Sequence, residues 1–87
     1  MPEVWIPPRM QRITNGQEQV QVGGATVRQV VNNLEKEFPG IKEELCYEDD
    51  IMPGIAVIID GETANLGMLE RVNENSEIHF LPAISGG

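Results

Sequence analysis

The sequence predicts an α+β fold in which one main helix lies across a small mixed sheet of four to five strands. Three observations carry that reading. Val27, Val30, Val31, Leu34 and Phe38 form a single apolar stripe at helical spacing. Ile55-Ala56-Val57-Ile58-Ile59 is a continuous apolar run of strand length. In the strand-like segment Glu77 to Leu81, His79 alternates with Ile78 and Phe80, the signature of a strand covered on one face.

The elements follow in order. Val4-Trp5-Ile6 is a strand-forming run, and Pro7-Pro8 interrupts its pairing or confines it to an edge. The strand pattern is expected to resume through Met10 to Ile13. Asn15-Gly16, a pair that tolerates positive φ, then turns the chain into Gln19 to Val22, completing an N-terminal hairpin. Gly23-Gly24 breaks that strand. Thr26-Val27-Arg28-Gln29 reads as a capping box, in which the Thr hydroxyl accepts a backbone N–H and the Gln side chain reaches back. The helix stops at Pro39-Gly40.

Ile41 to Leu45 fits one short helical turn, followed by a polar connection from Tyr47 to Gly54. The run Ile55 to Asp60 is expected to be the central strand, buried on both faces. Asp60-Gly61-Glu62 turns the chain, Leu66 to Leu69 packs as a short irregular turn, and the last strand follows. One helix crossing between strands of a mixed sheet gives a roll of the β-grasp type. Residues 1–82 form that domain, and 83–87 are expected to be a flexible diglycine tail.

Composition narrows the function classes. A chain of 87 residues makes one domain with little room for an enclosed catalytic cleft. Six Lys plus Arg against fourteen Asp plus Glu leave a net charge of -8, which repels phosphate backbones and anionic lipid. Nucleic acid and membrane are therefore not expected as partners, whereas a protein with a basic docking face is favoured. Met1-Pro2-Glu3 lacks the basic and apolar regions of a signal peptide, and no run is long enough to span a bilayer, so a cytoplasmic location is expected.

Side chains suited to chemistry are few. Cys46 is the single cysteine, flanked by Glu44 and Glu48 whose charges would raise its pKa and withhold the thiolate. His79 is the single histidine, placed by alternation on the solvent or partner face and without Cys or His neighbours at metal-ligand spacing. Glu48-Asp49-Asp50 lacks the spacing and the turn glycine of a calcium loop. Gly23-Gly24 precedes a helix without the Lys of a phosphate loop. No catalytic residue, metal site or bound cofactor is expected, and an enzyme is the weaker class.

The remaining candidate is the end of the chain. Gly86-Gly87 follows the uncharged stretch Ala83-Ile84-Ser85 directly after the last strand. Glycine is about 7% of average usage, so two terminal glycines arise by chance in about one chain in 200. Lacking Cβ atoms, they let the chain enter a narrow tunnel in another protein. The terminal carboxylate is then the candidate reactive group, the alternative being a frayed terminus whose composition carries no function.

The order of elements and the ending Ile78-His79-Phe80-Leu81-Pro82-Ala83-Ile84-Ser85-Gly86-Gly87 resemble the ubiquitin-like sulfur-carrier family, the MoaD, ThiS and CysO type. Ile6-Pro7, Met10, Thr14 and Gly16-Gln17 look most like the CysO branch. The resemblance implies a protein acted on by others. An E1-like enzyme spends ATP to adenylate the Gly87 carboxylate, a sulfur nucleophile displaces AMP, and the resulting thiocarboxylate donates sulfur in a sulfur-accepting synthase. Cysteine or homocysteine synthesis comes first among the pathways it implies, then molybdopterin, thiamin or tRNA thiolation.

In that frame Gly86, Ser85, Ile84 and Ala83 line the entry to a partner's active site. Docking falls to the sheet surface around Phe80 and Leu81, with Leu81 standing where the molybdopterin carrier has an aromatic residue. An arginine of the first loop, Arg9 or Arg12, contributes as well. Two other readings compete: a ubiquitin-like modifier joined through Gly87 to protein lysines, and a plain interaction module that functions without its diglycine.

Overall fold

The structure is a computed structural model, and it describes residues 1–82. The expected tail, Ala83 to Gly87, lies outside the described residues. Strands β1 (Glu3–Trp5), β2 (Gln19–Gln21), β5 (Ile55–Ile59), β6 (Glu62–Thr63) and β7 (Glu77–Pro82) form one sheet. Its order is β2-β1-β7-β5-β6; β1 runs parallel to β7 and every other pairing is antiparallel. A separate two-stranded ladder joins β3 (Cys46–Tyr47) to β4 (Asp50–Ile51). Helix α1 (Val27–Glu37) is the main helix, and α2 (Ile41–Leu45) is the expected short turn. The β-grasp arrangement predicted from the order of elements is the one observed.

The start of α1 is built as its capping box predicts except that the Gln29 side chain reaches one residue further back, past the N-cap Thr26 to Ala25. Gln29 N–H donates to Thr26 Oγ1 at 3.2 Å, and Ala25 N–H donates to Gln29 Oε1 at 2.8 Å. Gly24 sits at φ +149 so close to the helix that a Cβ would lie 2.8 Å from Val30 Cγ2 and Val30 N, so no other residue fits there. Val27, Val30, Val31 and Leu34 are fully buried against the sheet, where they meet Val4, Val20, Val57, Ile78 and Phe80. At the far end the Glu35 carboxylate accepts N–H bonds from Gly40 (3.0 Å) and Lys42 (2.9 Å), tying α1 to α2.

Two strand expectations are corrected. The central strand is β7, which pairs with both β1 and β5, while β5 has only the two-residue β6 on its far side. Of β5 only Val57 is buried; Ile55, Ala56, Ile58 and Ile59 are half-buried, because α1 covers one face of the sheet and nothing among the described residues seals the other. Met10 to Ile13 does not resume a strand. Pro8 opens a 3₁₀ turn (Pro8–Met10), where its fixed φ suits a helical start and its missing N–H costs nothing.

Further turns follow, with Ile13 N–H donating to Met10 O at 2.9 Å and Gly16 N–H to Gln11 O at 2.8 Å. Asn15 (φ 56) and Gly16 (φ 83) end this coiled segment instead of forming a two-residue hairpin turn. The hairpin itself survives through the register Trp5↔Gln19 and Ile6 N–H donating to Glu18 O at 2.8 Å.

Candidate functional site

Strand β7 is the element that delivers the chain to its ending, and its first residues are pinned. Asp60-Gly61 forms the two-residue turn between β5 and β6 with both residues at positive φ (51 and 85), the geometry of a type I′ hairpin. The Asp60 carboxylate then accepts from Ser76 Oγ–H at 2.8 Å and from Glu77 N–H at 2.9 Å. Ser76 Oγ in turn accepts Asn73 N–H at 2.9 Å. From this anchor β7 runs six residues to Pro82, about 17 Å at strand rise.

Alternation along β7 splits its residues between two faces. Ile78 and Phe80 point to α1, and Phe80 is 1% exposed. Phe80 therefore belongs to the core and is not exposed for docking, while its neighbours His79 and Leu81 lie on the opposite face. Leu81 is 47% exposed. Register places Trp5 beside His79, His79 beside Ile58, and Leu81 beside Ala56, giving a half-exposed apolar strip across β1, β7 and β5. Trp5 stacks on His79 with ring centroids 5.0 Å apart and planes 11° from parallel. The outward position of His79 was legible from alternation. The stack was not, since it depends on the parallel pairing of the two chain ends.

At the root of the tail, a groove of about 340 Å³ is lined by Pro7, Arg9, Met10, Ile55, Leu81 and Pro82, among others. Arg9 is exposed there and has no ion pair among the described residues. Arg12 is held elsewhere, its Nη2 3.3 Å from Glu44 Oε1. The structure thus brings Arg9, Leu81 and Pro82 together and leaves Arg12 apart. Ala83, Ile84, Ser85, Gly86 and Gly87 lie outside the described residues.

The rest of the molecule offers little reactive chemistry. Cys46 is half-buried with a thiol pKa raised chiefly by burial; Lys42 opposes that shift, and Asp50 and Asp49 add to it. The charged contributors are thus not the flanking Glu44 and Glu48 named by sequence order. Among the described residues there is no group of three or more His, Cys, Asp or Glu that could hold a metal ion, and no helix long and apolar enough to cross a membrane.

Comparison with known proteins adds the family context. The sequence model of the ThiS family matches residues 4–87. The sulfur carrier protein CysO of Mycobacterium tuberculosis is 29% identical over 91 residues, covering 97% of this chain and 96% of that protein. Among solved structures, a chain of the Amycolatopsis orientalis BexX/CysO complex superposes with a TM-score of 0.91 at 29% identity over 100% of both chains. The small archaeal modifier protein SAMP1 of Methanosarcina acetivorans superposes with a TM-score of 0.79 at 21% identity, covering 99% of this chain and 95% of that one. At that identity the last likeness is one of fold.

Proposed function

Because the chain belongs to the ThiS family, we propose that it is a sulfur carrier whose Gly87 carboxylate is activated and converted to a thiocarboxylate by partner enzymes. The observation that carries this reading is the pairing of a Gly86-Gly87 ending with a pinned strand whose outer face is left open beside it. Its full-length likeness to CysO supports it. In the first step a Gly87 carboxylate oxygen attacks the α-phosphorus of ATP, forming an acyl-adenylate and releasing pyrophosphate. In the second a sulfide nucleophile attacks the acyl carbon, and AMP departs with the original oxygen. The carrier supplies no catalytic side chain; it supplies an address, a thin tail and a docking face.

Geometry sets a limit on the partner. Five residues fully extended span at most about 18 Å, so the adenylating site must come within that distance of Pro82. A partner that close covers the root of the tail and the adjoining strip of Leu81, Ala56 and His79. Arg9, in the groove at that root, is then the first-loop arginine that meets it, and Arg12 is not. We place the sulfur acceptor in cysteine or homocysteine synthesis, a reading supported by the CysO relative. The Amycolatopsis complex supports a docked partner protein in the same way.

ATP–pyrophosphate exchange with the E1-like adenylating enzyme tests the proposal. Exchange that depends on this chain and disappears when Gly87 is deleted supports it; exchange unaffected by the deletion contradicts it. A ladder of lysine conjugates that vanishes with Gly87 would instead make the chain a modifier, and full function without Gly86-Gly87 would make it a plain interaction module.

A further inference from the structure

The outer face of the sheet carries two local costs that the described residues leave unrelieved. The first is at Trp5, whose Nε1–H is buried with no acceptor among the described residues although its ring is only partly covered. A buried indole N–H normally finds a partner, and one without any forfeits its hydration with nothing in return. The second is at Glu3 and Glu77. They are register partners on parallel neighbours β1 and β7, on the same face as Trp5 and His79, so two carboxylates stand side by side. Like charges in that relation weaken a sheet. Glu18 adds a third carboxylate, lining with Trp5, His79 and Leu81 a recess of about 230 Å³.

Both costs lie next to an apolar strip that continues through Leu81 to Pro82, the last residue of β7. A protein face with three properties would relieve them together: an apolar centre against Trp5 and Leu81, a backbone carbonyl to accept the indole N–H, and Lys or Arg side chains along the border of Glu3, Glu18 and Glu77. We propose that Trp5 is the anchor of this docking surface, and that its ring turns off the His79 stack on binding so that Nε1–H donates to a main-chain carbonyl of the adenylating enzyme. This inference rests on the sulfur-carrier reading, which supplies the partner. Continuity selects that enzyme, since whichever protein takes up the tail must sit on the adjoining strip. The net charge of -8 favours a basic border on it.

The chain has a single tryptophan, so isotope-labelled protein gives one indole N–H signal. Titration with the adenylating enzyme and ATP should move that signal downfield as the hydrogen bond forms. Kinetics supply the second arm. Trp5→Phe keeps an aromatic ring but loses the donor, and is expected to raise the KM for the carrier about 5-fold with kcat unchanged. Trp5→Ala is expected to raise it about 30-fold, the loss of a central anchor. Glu3→Gln with Glu77→Gln is expected to raise KM about 3-fold at low salt and to flatten its salt dependence.

A purely structural role for Trp5 would lower the melting temperature of Trp5→Phe and leave its KM alone; the proposal requires the reverse. An indole signal that stays put while the wild-type chain is adenylated, or wild-type KM in Trp5→Phe and Trp5→Ala, overturns the docking assignment and leaves the carrier reading intact. Failure of the enzyme to adenylate the wild-type chain overturns the carrier reading, and this inference with it.

Discussion

The two faces of β7 are made from adjacent residues and meet opposite surroundings. On the inner face Ile78 and Phe80 are sealed beneath α1, each touching other apolar side chains of one core. On the outer face His79 and Leu81 share a strip with Trp5, Ile58 and Ala56 that nothing among the described residues covers. A sheet covered on one side is stable enough in an antiparallel or mixed fold of this size, and the other side is then available for a partner. If the outer face docks a partner as proposed, stability and recognition are separated by one step of the β pleat. A substitution on one face should leave the other function nearly untouched.

The sharpest way to break that separation is a pair of alanines one residue apart. Phe80→Ala should cost about 3–5 kcal/mol of unfolding free energy, measured by urea titration, because it leaves a cavity in the core beneath α1. Leu81→Ala should cost within about 0.5 kcal/mol in the same titration. It should nevertheless weaken adenylation through KM. Equal losses of stability at the two positions would show that the outer strip is structural.

Asp60→Ala probes what holds both faces in register. It removes the acceptor for Ser76 Oγ–H and Glu77 N–H at the start of β7, and each is a bond to a charged group. The expected loss is about 1.5–3 kcal/mol. Asp60→Asn keeps one acceptor oxygen and tolerates the positive φ, so it should lose less.

A smaller effect, in the opposite direction, is expected far from both faces. Glu48 (φ 50) and Asp49 (φ 63) occupy the two central positions of the β3–β4 turn in the left-handed region. Asp49→Gly should stabilise the fold by about 1 kcal/mol in thermal or urea unfolding without altering the outer face, because glycine holds that φ without strain. A lower stability would contradict that account of the turn.

The last test uses pH. The N–H groups of Lys42 and then Gly40 donate to the Glu35 carboxylate and hold its pKa below the usual value, with the Lys42 charge assisting and burial opposing. A depressed carboxylate contributes stability that is fully present above its unfolded pKa and is lost as pH falls through the folded one. Glu35→Gln should therefore lower stability at neutral pH and flatten its decline in acid. An acid limb unchanged in slope would remove Glu35 from that role.

Local chemistry made much of this molecule legible in advance. Thr26 and Gln29 announced the helix start, the Val27 to Phe38 stripe announced its buried face, and the alternation of His79 with Ile78 and Phe80 announced a strand with one face open. Global neighbours were harder to read. The apolar run at Ile55 says that a strand forms, and it does not say how many strands flank it; only the pairing of β1 with β7 reveals which one is central. Met10 to Ile13 misled because Pro8 acts as a helical start, a signal that outweighs the apolar residues after it.

The β3–β4 ladder went unread because Glu48-Asp49 lacks the Asn-Gly pair that marks such turns. At the candidate site, the exposure of Leu81 and the outward position of His79 followed from the pleat. The place of Phe80 in the core follows from the same alternation, applied one residue earlier. The Trp5–His79 stack joins residues from opposite ends of the chain, and no local pattern contains it.

The central claim is that sulfur is carried at Gly87, and intact-mass analysis tests it most directly. After incubation with the adenylating enzyme, ATP and sulfide, the account predicts a mass gain equal to replacing one oxygen by sulfur, located at Gly87 by fragmentation and absent when Gly87 is deleted. An unchanged mass, with an enzyme proven active on another carrier, would contradict it.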